Sequence, residues 1–251
     1  MMKIVSFNLR VAVAVDGENN FFLRLPLIEE RLNREKPDIL GFQELKVEDM
    51  LPALKKALPD YCFAGVGRGP RLDGECSALA FRKDRFQLWA TDTLWLSPTP
   101  RLPGSRYEKQ SACPRVFTTA RLWDNETQKP LIVINTHLDH EFEEARMLGL
   151  RQVLAAAREA DAEGLPVFIL GDFNFAPQDA PYRLIEESGF ADLTADLGGT
   201  FHDYGRCTPV KIDYILSNQP AGRFSAAQWH CEVPGRFLSD HDPVAVCTRE
   251  I

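Results

Sequence analysis

Short apolar runs that stop at a polar residue recur along the whole chain. Residues 3–7 run into Asn8, and 38–42 run through Gln43 into Glu44. Residues 130–136 run into His137, and 167–170 pass through Gly171 into Asp172, Phe173 and Asn174. Runs this short, bounded by turn formers, predict strands. The same pattern predicts strands over 77–82, 86–96, 116–123, 212–217, 224–232 and 244–248. Between them, apolar residues three and four apart predict helices. Leu25, Ile28 and Leu32 give a helix over 23–35 that stops near Pro37. Leu51, Leu54 and Leu58 share one face of a helix over 47–58. The longest predicted helix covers 141–160, with Glu141, Glu143 and Glu144 at the positive end of its dipole. A short helix is predicted over 182–188.

Helices and strands alternate early, and strands dominate afterwards. No linker, repeat or low-complexity tract divides the chain, so one domain over 1–251 is expected. Two sheets packed face to face with helices outside would bury these elements. Trp89, Trp95, Trp123 and Trp229 are expected in the core. Gly65, Gly67 and Gly69 precede no helix, so they are no dinucleotide fingerprint and are expected to form a flexible loop.

Composition narrows the function. A formal net charge of -7 in 251 residues disfavours indiscriminate binding to a nucleic-acid backbone. It leaves room for a local basic groove or for a compact substrate. Arg68 and Arg71, with Arg101, Arg106 and Lys109, read either as an anion-attracting rim or as ordinary solvated charges. The 6 cysteines contain no Cys-x-x-Cys pair, which removes the structural zinc pattern and leaves free thiols as the expectation. No apolar stretch approaches the roughly 20 residues of a membrane span. The chain enters a strand-like run at once, and the expected location is cytoplasmic.

The polar residues that end the runs carry the candidate chemistry. Each has a plain reading when taken singly: Asn8 and Asp172 as turn formers, Glu44 as a solvated carboxylate, His137 as a core histidine. The tetrad Ser239-Asp240-His241-Asp242 reads as a polar turn. Asp213, inside an apolar run, resists such a reading, because an unpaired buried carboxylate is costly. Six such sites in one chain are poorly explained by independent turns. Strand ends also hold functional groups rigidly.

At these residues the chain resembles the endonuclease/exonuclease/phosphatase superfamily, the fold of deoxyribonuclease I. The resemblance is carried by Ser6-Phe7-Asn8, Gln43-Glu44, Thr136-His137-Leu138, Gly171-Asp172-Phe173-Asn174, Ile212-Asp213-Tyr214 and Ser239-Asp240-His241-Asp242-Pro243-Val244. Four further stretches are similar to a bacterial branch near the CCR4/nocturnin-type members. They are Gly65-Val66-Gly67-Arg68, Trp95-Leu96-Ser97-Pro98, Cys113-Pro114-Arg115-Val116 and Gly199-Thr200-Phe201-His202. Lys211 stands where that branch commonly has arginine.

The resemblance implies an α/β fold, a four-layer sandwich of two mixed sheets flanked by helices. It implies a Mg²⁺-dependent phosphoesterase, with Mn²⁺ as an alternative ion, using metal-assisted attack of water. Glu44 is then the primary metal ligand, with Asn8 beside it and Asp240 as a further ligand. Asp172 is the base for water, Asn174 fixes the phosphate, and His241 donates to a phosphoryl oxygen. Asp213 orients His241, and His137 is a second phosphate contact. On the substrate side, Arg115 is a phosphate clamp or a structural ion pair. Phe201 and His202 stack on a base or belong to the core, and Glu75 reaches in from its loop. The expected substrate is a phosphodiester in nucleic acid or a nucleotide. A small-molecule phosphatase or a phospholipid phosphodiesterase is the alternative. A non-catalytic binding module is disfavoured, since no ligand or proton-transfer position is missing.

Overall fold

The computed structural model describes residues 1–230 and 235–249. One sheet has the strand order β11-β12-β1-β2-β4-β3: Phe224–Gln228, Val244–Thr248, Lys3–Asn8, Ile39–Lys46, Glu75–Arg82 and Tyr61–Ala64. The other has the order β5-β6-β7-β8-β10-β9: Phe86–Trp95, Val116–Asp124, Lys129–His137, Val167–Asp172, Asp213–Ser217 and Ala191–Asp192. Each sheet is mixed. β1 and β2 pair in parallel, as do β7 and β8, and the remaining pairs are antiparallel. Four α-helices are described: α1 (Phe21–Glu35), α2 (Met50–Ala57), α3 (Glu143–Ala162) and α4 (Tyr182–Glu186).

The apolar runs are continuous because both faces of the central strands are covered. Ile4, Ile39, Val133, Phe168 and Leu170 point between the sheets. Their neighbours Val5 and Leu40 point outward and pack with Ile28 and Leu32 of α1 and Leu54 of α2. Ile132, Ile134 and Ile169 point outward to Leu150, Val153 and Leu154 of α3. The period of two thus feeds three apolar layers, and the four-layer α/β sandwich expected from the sequence is observed.

Several local expectations are corrected. β3, β9 and a 3-10 turn at Ala14–Asn19 were not anticipated. The strand expected over 224–232 ends at Gln228, and residues 231 and 232 lie outside the described residues. α3 begins at Glu143 because Asp139 Oδ1 accepts from the amides of Glu141 and Phe142 at 3.1 and 2.8 Å, which holds Glu141 outside the helix. Trp95 and Trp229 are buried, whereas Trp89 is 52% exposed and stacks on Trp123 at a ring separation of 4.9 Å. The glycine loop is tied down: Gly67 N donates to Leu72 O, Gly69 N to Asp73 O, and Trp95 Nε1 to Arg68 O at 2.7 Å. The described thiols Cys62, Cys76, Cys113, Cys207 and Cys247 are free, and Cys231 lies outside the described residues.

β2 carries the irregularity that matters most for function. Its register with β4 shifts between Phe42 and Leu45, and Glu44 sits at φ 58° inside this bulge. A positive φ is uncommon for a side-chain-bearing residue and re-aims the side chain out of the strand's alternation. Asn135, on β7 of the opposite sheet, supports the break. Its Nδ2 donates to the carbonyls of Phe42 and Ala78 at 2.9 and 2.7 Å, and its Oδ1 accepts from Gln43 Nε2 at 2.7 Å. Gly41 makes room for this bridge, since a Cβ there would stand 2.9 Å from Asn135 Oδ1.

Candidate active site

The ends of β1, β2, β7 and β8, the start of β10 and the segment before β12 meet at one edge of the sandwich, around a cleft of about 390 Å³. Strand pairing sets the geometry. Asp172 lies opposite His137 in the β7–β8 register and opposite Asp213 in the β8–β10 register. Two carboxylates are therefore neighbours in a buried place. Burial and the charge of Asp213 push the Asp172 carboxyl up to about 7, against His241, Asn8 and the Asn174 amide.

His241 stands between these acids. Its Nδ1 donates to Asp213 Oδ2 at 2.8 Å, and its Nε2 lies 3.8 Å from Asp172 Oδ2. Burial opposes its charge, but Asp213, Asp172 and Asp240 outweigh burial and raise it to about 10. Thr200 Oγ1 donates to the same Asp213 oxygen at 2.6 Å, while the buried Asp213 Oδ1 has no partner. Phe201 tilts against the His241 ring at 5.0 Å. His137 behaves oppositely. Burial, Arg115 and Arg68 hold it well below its ordinary value, so it is neutral, with Nε2 3.4 Å from Asp172 Oδ2.

Glu44 is fixed by two donors. Val11 N reaches Oε2 at 2.8 Å and Asn8 Nδ2 reaches Oε1 at 3.1 Å. Burial raises the Glu44 carboxyl, and these two donors with His241 and Arg10 bring it below its ordinary value. Asn8 Nδ2 also donates to Asp172 Oδ2 at 2.9 Å, and its Oδ1 accepts from Arg10 N at 2.9 Å. The Asn8 oxygen is thus turned to the backbone, and Asn8 bridges the carboxylates rather than presenting an oxygen to the cleft. Asp240 is buried, raised by burial and by Glu44, and 3.8 Å from Arg10 Nε. Asn174, at φ 53°, gives its backbone N–H to Asp172 Oδ1 at 3.0 Å.

Glu44 and Asp240 repel each other in a buried corner, where the cations acting on both are His241 and Arg10. Such a pair of hard oxygen donors fits a divalent cation of the Mg²⁺ or Mn²⁺ type. Asp172, Asp213 and His241 also lie close enough to one another to share an ion. Their hydrogen bond and the charged state of His241 fit a proton relay better, because a protonated ring offers no lone pair to a metal.

The expected substrate contacts divide. Arg115 lines the cleft, with Nη2 donating to His140 Nδ1 at 2.8 Å. Among the described residues it makes no ion pair, and its carboxylate neighbour Glu75 is held by Arg68 at 2.6 Å. Glu75 reaches the cleft as expected. His202 does not. Gly205 N donates to its Nδ1, its Nε2 faces Asp242 Oδ1 at 3.3 Å, and its ring lies on Phe237, so its neighbour Phe201 takes the cleft position. Arg10, Thr200 and His140 were missed. Thr200 sits in the Gly199-Thr200-Phe201 stretch and was within reach of that motif, whereas nothing near Arg10 in sequence signals its role.

Residues 5–241 match the sequence profile of the Endonuclease/Exonuclease/phosphatase family. The structure is similar to an endonuclease/exonuclease/phosphatase from Bacteroides vulgatus, with a TM-score of 0.89, 29% identity and 99% of each chain covered. It is similar to a mannosyl-6-phosphatase of Bacteroides thetaiotaomicron, with a TM-score of 0.87, 27% identity and 100% of each chain covered. The human Nocturnin catalytic domain with bound sulfate shares the fold at a TM-score of 0.73 and 19% identity, covering 98% of this chain and 93% of that one. A comparison with curated proteins gave no match. With its paired sheets, its profile match and His241 held between Asp213 and Asp172, the chain belongs to the endonuclease/exonuclease/phosphatase family.

Proposed function

We propose that this protein hydrolyses a compact phosphate ester with the help of a divalent cation. The observation that carries the reading is His241, held charged by Asp213 and facing Asp172 beside the Glu44–Asp240 pair. Glu44 and Asp240 would hold the cation, and Asn8 keeps Glu44 in place. When bound, the cation supplies positive charge to the phosphoryl oxygens and to the departing oxygen. Asp172, raised to about 7, takes the proton of the attacking water. His241 donates a charge-assisted hydrogen bond to the phosphoryl group as negative charge builds there. Asn174 and neutral His137 orient the same group.

The compact substrate is favoured over nucleic acid by the loop cations. Arg71 pairs with Asp73 at 3.2 Å, Arg101 with Asp92 at 3.1 Å and Lys109 with Glu144 at 3.3 Å, and Arg106 is turned to Ser111 O. Cations already paired give little of the counterion release on which phosphate-backbone binding depends. The mannosyl-6-phosphatase among the similar structures is also a phosphatase by name.

The test is a panel of sugar phosphates, a generic diester, a phospholipid head-group ester, RNA and DNA, each with Mg²⁺ or EDTA. Turnover is expected on a small ester, lost in EDTA and in Glu44→Ala. Asp172→Asn and His241→Ala should each lose about 10²- to 10⁴-fold in kcat. Metal-independent turnover would overturn the mechanism, and faster turnover of RNA or DNA than of every small ester would overturn the compact substrate.

A further inference from the structure

Arg115 is left over from the reaction just described. It is 4% exposed at the head of β6, and its Nε and Nη1 have no partner. Among the described residues, the guanidinium's one hydrogen bond is to His140 Nδ1. Arg68 is engaged by Glu75, and both arginines line the same cleft as the catalytic groups. A guanidinium with unused N–H groups in a buried place is poised for an anionic oxygen.

The arrangement is built rather than incidental. Leu96 N donates to Arg115 O at 2.8 Å, and Trp95 Nε1 donates to Arg68 O, so the end of β5 sets both arginines. The His140 segment is fastened through Asp139, which accepts from Ser111 Oγ and from two amides ahead of α3. His137 touches Asp172 and also lines, with Arg68 and Arg115, a side cavity of about 10 Å³. That cavity has room for one water at most, so an anion would sit in the cleft itself. The groups around Asp172 already serve the ester being cut, which leaves this cationic wall for something else on the substrate.

We propose that Arg115 and Arg68 form a second anion subsite, holding a phosphate or carboxylate that the substrate carries in addition to the ester that is cut, with His140, whose Nε2 faces Glu141 at 3.3 Å, positioning Arg115 through Nδ1. The proposal rests on the hydrolytic reading of the cleft. It makes the preferred substrate a small phosphate ester with a second anionic group on its leaving side.

The test compares a four-carbon diol monophosphate, its bisphosphate and the phosphorylated hydroxy acid of the same length, with saturating Mg²⁺. Wild type should favour one of the two compounds with an anionic second end over the monophosphate by roughly 10- to 100-fold in kcat/KM, as expected for charge-assisted hydrogen bonds. Which of the two is favoured tells phosphate from carboxylate. In Arg115→Ala the preference should collapse toward one, and Arg115→Lys, which keeps the charge, should restore part of it. No preference in wild type, or a preference unchanged in Arg115→Ala, overturns the subsite. Sulfate binding by calorimetry in EDTA reads the subsite without turnover. It should weaken at least about tenfold in Arg115→Ala, in line with losing a charged hydrogen-bond partner, and unchanged binding counts against the proposal. Arg115-dependent sulfate binding in a protein that cuts no ester would keep the subsite and sink the hydrolytic reading.

Discussion

Replacing Asp213 with Asn would preserve the shape of the site and remove the charge that keeps His241 protonated. The consequence is visible in stability as well as in rate. Asp172 rises from 3.8 to about 7, and His241 from 6.5 to about 10. Both groups hold a proton more tightly folded than unfolded. Their stabilising contribution is therefore complete at low pH and is lost as pH rises, over 3.8 to about 7 for Asp172 and 6.5 to about 10 for His241. Metal-free protein melted in EDTA should lose stability through these two windows. In Asp213→Asn the upper window should flatten, because His241 returns toward its ordinary value. An equally steep loss between pH 7 and 10 in the variant would show that Asp213 does not set the charge of His241.

The β2 bulge shows how an element delivers a residue. Without it, Glu44 would follow the strand's alternation instead of pointing into the cleft. Asn135→Ala would leave the carbonyls of Phe42 and Ala78 without their side-chain donor, at a cost of about 1–3 kcal/mol for each group left unpaired. A lower melting temperature together with weaker Mg²⁺ activation is expected; a full loss of stability with unchanged metal response would separate the bulge from the metal corner. What the sequence disclosed follows the same line. Asn8, His137, Asp172 and Asp213 were legible because apolar strands end or begin at them, and strand pairing brings such ends together. The aim of Glu44 was not legible, since it depends on a partner 91 positions away in another sheet, Asn135. His202 was misplaced by one step, because neighbouring side chains leave an extended segment in opposite directions. Trp89 was misjudged because β5 is an edge strand whose register with β6 shifts between Leu88 and Ala90, and the residues from Gln87 to Thr91 all face solvent.

At the scale of the molecule, the two ends of the sandwich do different work. Opposite the cleft, Arg85 ties the sheets together. It makes two hydrogen bonds to Asp124, contacts Asp38 at 3.2 Å, and donates to Met1 O. Arg85→Leu would strand buried Asp124 and is expected to cost about 3–5 kcal/mol, with kcat/KM unchanged at temperatures where the variant stays folded. A variant that loses activity while retaining the wild-type melting temperature would contradict this separation. The chain order adds a constraint on the cleft end. β12 lies between β11 and β1, and Met2 N is bonded to Thr248 Oγ1 across 246 positions. A chain that has left the ribosome only as far as residue 230 already carries Asn8, Glu44, His137, Asp172 and Asp213, yet it lacks Asp240, His241 and the strand that closes the first sheet. On the proposed reaction, a chain cut at residue 230 is expected to turn over no phosphate ester, since the proposed cation ligand Asp240 and proton donor His241 are missing from it.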